Sequence, residues 1–350
     1  MKKIRVIQIG VGHDHATDIL DSMVTMRDIF DVVAFAVPEE EKLKFAEKIR
    51  LCTDVIGVPQ RSVNEALCLD DIDGAVIETE ESNLCKYASL AAQKGLHIHM
   101  DKPGSTEYDE FASLINLLKS KNLVLSMGYM YRFHPEIKRV IEEAENGNLG
   151  KIYSIEAQMN CEHTIEKRRW LANFPGGMMF FLGCHLIDTI YRLKGMPTEI
   201  ISLNASLNPE EIHAEDFGMA IFKYDNIPSL IKVSAAECGG FLRRQLVICA
   251  EKGTIEIRPI EKWLADCIFS YNGCNDRKNM SCNVRRITET GNWTADAICK
   301  ESEPFNRYDD MMYCFAERIN GKEETVYTYD YELSLYKLIL KACQITGDKT

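Results

Sequence analysis

The first 127 residues alternate short apolar runs with stretches of helical period, and that alternation leaves few folds open. Residues 4–10 read IRVIQIG and residues 32–37 read VVAFAV before Pro38. Runs this short, apolar throughout and rich in β-branched residues, mark strands buried on both faces. Helical patterns cover 16–26 and 39–49, the second opening on acids and closing on Lys48 and Arg50, the order the helix macrodipole favours. The unit repeats: strand 75–77, helix 82–94 stopped by Gly95, strand 97–100, helix 106–119, strand 123–127. Strands separated by helices need crossovers, so this half is expected to be a Rossmann-type, doubly wound parallel sheet.

After residue 128 the pattern changes. A helix over 135–145 ends at Asn146-Gly147, and strand-like runs follow at 151–159, 199–207, 216–224, 229–237, 244–250 and 253–258. Turns at Asp225-Asn226 and Lys252-Gly253 join neighbours as hairpins, predicting a large, mostly antiparallel open sheet in an α+β domain. One strongly apolar helical stretch, 178–193, lies between them; 271–306, polar and rich in Asn and Cys, reads as loop. Helices over 307–320 and 331–345 close the chain. The expected division is 1–127 and 128–350, with the last helices able to pack back on the first domain.

Composition narrows the classes. A length of 350 residues suits two domains, and 46% hydrophobic with 27% charged residues excludes a disordered chain. No apolar run approaches the roughly 18 residues of a spanning helix, so no membrane partner is expected. Fifty-three acids against 41 Lys and Arg give a net charge of −12, which argues against nucleic acid. The apolar run behind Lys2 and Lys3 is too short for a signal peptide, and the 13 cysteines contain no CxxC pair. Both point to a reduced, cytoplasmic protein. Cys267, Cys274 and Cys282 lack metal-ligand spacing, and no metal site is expected.

Three motifs carry chemistry. Gly10-Val11-Gly12-His13-Asp14-His15 follows the first strand and opens a helix: Gly10 permits the turn, and Gly12 lets a pyrophosphate approach the helix N-terminus. His13 stands beside that turn as a possible donor, and His15 replaces the third glycine. Val37 occupies the place of the acid that binds ribose hydroxyls, with Glu39 and Glu40 beyond it. No arginine follows to meet a 2′-phosphate, which favours NAD over NADP. Asp101-Lys102-Pro103 ends a strand on the edge where ligands bind in open α/β sheets. In the stretch 175–188, helical spacing puts Phe181, His185 and Asp188 on one side. Taken alone, a loop lysine is more often solvated surface, and a histidine on an apolar helix a core residue.

Together these motifs resemble the Gfo/Idh/MocA oxidoreductase family over nearly the whole chain. Asp101-Lys102-Pro103 is similar to the family's Glu-Lys-Pro motif, residues 128–132 (GYMYR) to the segment entering the second domain, and 176–188 to the Gly-rich helix bearing the catalytic histidine. Tyr308-Asp309-Asp310 before the closing helix also matches. Three departures stand out: Val37, Glu80-Glu81 in place of the Pro-Asn that commonly follows Thr79, and Phe181 where many members carry aspartate.

The resemblance implies Lys102 and His185 as the catalytic pair, Lys102 holding the substrate hydroxyl. It implies cofactor contacts from Gly10, Gly12, His13, His15, Thr79, Asp101, Lys102 and Arg132, and substrate contacts from His134, His163, Arg169 and Trp170. Its substrate class is a sugar, glycoside or cyclic polyol, oxidised at a secondary hydroxyl with NAD. Two other readings follow from the departures: a tightly held NAD that is reduced and reoxidised within one cycle, or a catalytically silent NAD-binding sensor or partner subunit. An open sheet with one face uncovered predicts a homo-oligomer formed through the C-terminal sheet.

Overall fold

The computed structural model describes residues 1–225, 227–264, 278–288 and 296–345. The chain divides into two compact units, Met1–Met130 with Tyr308–Tyr336, and Tyr131–Arg307 with Lys337–Thr350.

In the first unit, β1 (Ile4–Ile9), β2 (Phe30–Ala36), β3 (Gln60–Arg61), β4 (Gly74–Ile77), β5 (His97–Met100) and β6 (Leu125–Met127) form a parallel sheet in the order β3-β2-β1-β4-β5-β6. Apart from Arg5, β1 is buried along its whole length, and β4 is buried throughout, as strands covered on both faces must be. The crossovers carry α1 (Ala16–Thr25), α2 (Ala46–Arg50), α3 (Val63–Leu67), α4 (Leu84–Gln93) and α5 (Tyr108–Lys121). Ser62 and Glu65 form a reciprocal capping box on α3, and Asn122 ends α5 in the left-handed conformation.

The helix expected over 39–49 is broken. Glu39–Glu41 make a short 3-10 turn and α2 starts only at Ala46, because Glu41 is buried and its carboxylate accepts from Glu80 N at 2.8 Å, drawing the chain inward.

The second unit contains α6 (Pro135–Glu145), β7 (Ile152–Asn160), α7 (Ile165–Trp170), α8 (Cys184–Lys194), β8 (Glu199–Ala205), β9 (Phe217–Lys223), β10 (Ser229–Ser234), β11 (Gln245–Ala250), β12 (Gly253–Ile257), β13 (Lys262–Trp263), β14 (Met280–Ser281), β15 (Asn283–Ile287) and β16 (Ile298–Glu301). Eight strands form one sheet in the order β16-β15-β12-β11-β7-β10-β9-β8; β7 and β10 pair in parallel and the other neighbours antiparallel.

One expectation is corrected here. The stretch 271–306, read as loop, contributes β14, β15 and β16 among its described residues. Cross-strand pairing of Val284 with Ile257 builds a strand from a sequence, NVRRI, that has little apolar alternation of its own. Cys267, Cys274 and the turn residue Asn226 lie outside the described residues. The apolar stretch 178–193 is helical throughout, as expected, but Met179–Gly183 is a wide π-type turn that runs directly into α8. That turn removes the simple helical relation expected between Phe181 and His185.

Two further helices follow. α9 (Asp309–Ile319) belongs to the first unit, packing Met311, Met312 and Phe315 inward while Asp309 accepts from the Ser22 hydroxyl of α1 at 2.5 Å. α10 (Tyr329–Ala342) is divided between the units.

Candidate functional site

In the first unit, the exits of β1, β4 and β5 converge on the turn from Gly10 to His15. Gly10 has φ +96°, and a side chain there would start 2.3 Å from Thr79 N. One at Gly12 would lie 2.6 Å from Glu80 N and 3.0 Å from a Glu41 carboxylate oxygen, so only glycine lets the β4 exit lie so close. His13 N donates to Glu78 O at 3.0 Å, and Lys48 Nζ donates to His13 O at 2.6 Å. No side chain caps α1, which leaves the start of that helix suited to an anion. A glycine turn and an uncapped helix start fit the pyrophosphate of a dinucleotide.

The side chains around this turn are acidic and buried. Glu41, Glu78, Glu81 and Asp101 are at most 2% exposed. Asp101 Oδ2 lies 2.9 Å from both His13 Nδ1 and His15 Nδ1, while Asp101 Oδ1 accepts from Lys102 N at 2.7 Å. Gly128 makes room for this carboxylate, since a Cβ there would sit 2.5 Å from Asp101 Oδ1.

Burial drives His13 down to about 4 against the pull of Asp101, so its imidazole is neutral at physiological pH. Burial pushes Glu41 up to about 7. Burial also raises Glu78 well above the usual carboxylate range, with Asp101 adding to the effect. Asp101 goes the other way: burial is outweighed by His13 and His15, which hold it well below that range.

Lys102 is completely buried at the end of β5, close enough for its charge to act on His13. Thr79 is buried too, its hydroxyl donating to Glu80 O at 3.1 Å. The ribose position has no ready acid. Val37 is buried, Glu39 pairs with Lys42, and Glu40 accepts from Lys86 and Tyr87.

In the second unit, His185 lies on α8, 1% exposed, its ring 5.2 Å from that of Tyr131. Tyr131 donates to Glu261 at 2.8 Å, and Glu261 also takes Arg244 at 2.8 Å and Arg307 at 2.9 Å. Burial, with Glu261 adding to it, keeps the Tyr131 phenol well above its usual range and therefore protonated. Phe181 gathers two of the expected substrate residues: Trp170 meets it edge-on at 5.3 Å and the His163 ring lies 6.3 Å away. Lys167 Nζ sits 3.6 Å over the Trp170 ring. Arg169 is exposed and reaches Glu211 at 3.4 Å.

Two further expected contacts have partners within the second unit. Arg132, expected at the cofactor, gives its guanidinium to Asp188 through two 2.9 Å bonds. His134, expected at the substrate, uses both ring nitrogens inside the fold. Nε2 bonds Ile260 O at 2.7 Å, and Nδ1 accepts from Ile137 N at the start of α6.

Sequence reasoning missed Glu41, Glu78, Glu81, Tyr131, Arg244 and Glu261. The acids at 78, 80 and 81, directly behind an apolar strand, were the one visible signal; the Glu261 cluster joins residues as far apart in the chain as Tyr131 and Arg307.

The first unit is thus a doubly wound parallel sheet with a glycine turn after its first strand, and the second is built on a large open sheet. Residues 4–129 match the oxidoreductase family with an NAD-binding Rossmann fold, and residues 136–256 match the GFO/IDH/MocA C-terminal domain. The chain belongs to the Gfo/Idh/MocA oxidoreductase family.

Among curated proteins, an uncharacterized oxidoreductase of Schizosaccharomyces pombe is 28% identical over 165 residues, covering 46% of this chain and 45% of that one. The D-xylose 1-dehydrogenase (NADP(+)) 2 of Haloferax volcanii is 26% identical over 151 residues, 42% and 46% of the two chains. The chain thus spans about half the length of these relatives. Glucose-6-phosphate 3-dehydrogenase of Bacillus subtilis is 22% identical over 66% of this chain and 65% of its own.

Among solved structures, the 3-ketoreductase KijD10 of Actinomadura kijaniata, in complex with TDP-benzene and NADP, superposes with a TM-score of 0.75 at 16% identity, covering 97% and 96% of the two chains. The UDP-N-acetylglucosamine 3-dehydrogenase GnnA of Acidithiobacillus ferrooxidans gives 0.76 at 15%, covering 99% and 98%. At these identities the likeness is one of fold.

Proposed function

We propose that the protein oxidises a secondary hydroxyl of a sugar, glycoside or cyclic polyol with NAD as hydride acceptor. The observation that carries this reading is Lys102: a lysine buried without exposure at the carboxyl end of β5, beside a glycine turn and an uncapped helix start. A buried amine at the ligand edge of a Rossmann sheet is costly to the fold unless it serves a site. The sugar class rests on the relatives named above.

Gly10, Gly12, His13, His15, Thr79, Asp101 and Lys102 would hold the dinucleotide. When bound, the nicotinamide supplies the centre that takes the hydride. Lys102 orients the substrate hydroxyl, and Lys102 and His185 between them take its proton as the C–H bond breaks. His163 and Trp170, gathered around Phe181, offer a polar edge and an aromatic face of the kind that suits a sugar ring. The outward half of the eight-stranded sheet shows apolar residues, Leu203 among them at 62% exposed, which supports assembly of two or more copies through that face.

The test is a screen of sugars, glycosides and polyols with NAD and with NADP, following reduced-nicotinamide absorbance, and repeated with a keto-sugar acceptor. Turnover on a sugar class, reduced about 10²- to 10⁴-fold in Lys102→Ala and in His185→Ala, is the expected result. Full turnover in both variants defeats the assignment of these residues. Calorimetry that finds neither cofactor bound by cofactor-free protein defeats the reading as a whole.

A further inference from the structure

We infer that His13, His15 and Asp101 form a binding site for one divalent transition metal ion, set beneath the glycine turn. His13 lies in the turn after β1, His15 just ahead of α1 and Asp101 after β5. One nitrogen from each imidazole and one carboxylate oxygen lie within 4.8 Å of one another. Both Nδ1 atoms stand 2.9 Å from the same oxygen, Asp101 Oδ2. Ligand atoms held about 2.0–2.1 Å from a metal and about 90–110° apart are roughly 2.9–3.4 Å from each other, so each imidazole–carboxylate spacing is already that of a coordinated pair. A modest approach of the two rings completes the set, and the His15 side chain, 13% exposed, has room to make it.

The hydrogen bonding around His13 leaves a gap that a cation fills. His15 N donates to His13 Nδ1 at 3.3 Å, which puts a lone pair on that nitrogen, and the lone pair faces Asp101 Oδ2. If the proton is moved to Nδ1, the His15 amide loses its acceptor, and the bare Nε2 stands 3.6 Å from Glu81 Oε1. His13 Nε2 and both Glu78 carboxylate oxygens are buried without a hydrogen-bond partner, and Glu78 Oε2 lies 3.8 Å from His13 Nδ1. Glu78, Glu81 and Asp101 share this pocket with the two imidazoles and with Lys102.

The surroundings are those of a metal site. Asp101 Oδ1 is tied to Lys102 N, which aims Oδ2 at the imidazoles. Two imidazole nitrogens with one carboxylate select a first-row ion such as zinc, cobalt or iron(II) over magnesium or calcium. Glu78 Oε2, 3.8 Å from His13 Nδ1, is the further carboxylate oxygen beside the proposed ligand atoms.

The experiment uses the full-length protein, stripped with chelator and titrated with Co²⁺ and then Zn²⁺, without nicotinamide. Absorption, metal content and thermal unfolding are followed. One equivalent of Co²⁺ should bind with visible d–d bands and no sulfur-to-cobalt charge transfer, zinc should displace it, and metal should raise the Tm. His15→Asn and Asp101→Asn, with folding checked by circular dichroism, should each weaken binding at least 10-fold, while His213→Asn on the exposed surface binds as wild type. Absence of stoichiometric binding, a thiolate charge-transfer band, or unchanged affinity in folded His15→Asn overturns the inference. None of these readouts depends on dehydrogenase activity, so this site and the proposed function fail separately.

Discussion

Arg132 and Asp188 clasp each other through two parallel bonds of 2.9 Å, with both side chains about 5% exposed. The bond joins the segment after β6 to α8 three residues beyond His185, so it anchors the helix that carries the proposed acid/base. A buried fork of this kind costs most when only one partner is removed, because the other charge is then left unpaired. Asp188→Asn or Arg132→Ala should destabilise by about 3–5 kcal/mol. Arg132→Lys should recover only part of that, since a lysine cannot make the second bond. Urea unfolding midpoints measure all three. A loss under about 1 kcal/mol in Asp188→Asn would contradict the anchoring role.

Glu41 yields a pH dependence of defined sign. Burial lifts its folded-state value from 4.5 to about 7, so its neutral form suits the fold and its ionised form does not. The stability tied to it is present in full below about 4.5 and is lost as pH rises through about 7. Glu41→Gln keeps an acceptor for Glu80 N and cannot ionise. Its Tm should match wild type near pH 5 and exceed it at pH 8, by an amount corresponding to a few kcal/mol. Thermal melts across that range decide it; curves that stay parallel would show that Glu41 is ionised throughout.

Gly128 tests how tightly Asp101 is held. A methyl at this position would begin 2.5 Å from Asp101 Oδ1 and 2.8 Å from its Cα, inside any tolerated contact. Gly128→Ala should therefore displace the carboxylate, cost about 1–3 kcal/mol and weaken binding at the glycine turn. Unfolding together with nicotinamide titration gives both numbers.

Glu261 holds together Tyr131, Arg244 and Arg307 next to His185. Glu261→Gln leaves two arginines short of a counter-charge and should cost about 3–5 kcal/mol. Tyr131→Phe removes two bonds, the one donated to Glu261 and the one accepted from Arg244, at about 1–3 kcal/mol. Because the Tyr131 hydroxyl ties the ring beside His185 to Glu261 and Arg244, Tyr131→Phe releases that ring and should lower kcat while leaving the KM for nicotinamide unchanged. A fall confined to KM would place Tyr131 in binding and not in the support of His185.

The amino-acid sequence by itself determined the parallel sheet, the place where the chain changes character, and the three motifs, because each is local. A buried parallel strand is apolar over four to seven consecutive residues, a crossover helix shows its period within a dozen, and a glycine turn is legible from its neighbours. Where local preference and tertiary demand disagreed, the structure alone decided. Glu41 is drawn under Glu80 and breaks a helix its own segment favours. The strand Asn283–Ile287 takes its conformation from the pairing partner beside it.

The same reason governs the sites. Arg132 is bound to a carboxylate 56 residues away and His134 to a carbonyl 126 residues away, and neither partner is visible from the chain around it. His13 and His15 are conspicuous in the chain. The carboxylate that unites them, 86 residues beyond His15, reaches them only because β1 and β5 end on the same edge of one sheet. Hydrogen bonds and ion pairs depend on distance in space, and that distance exists only once the chain has folded.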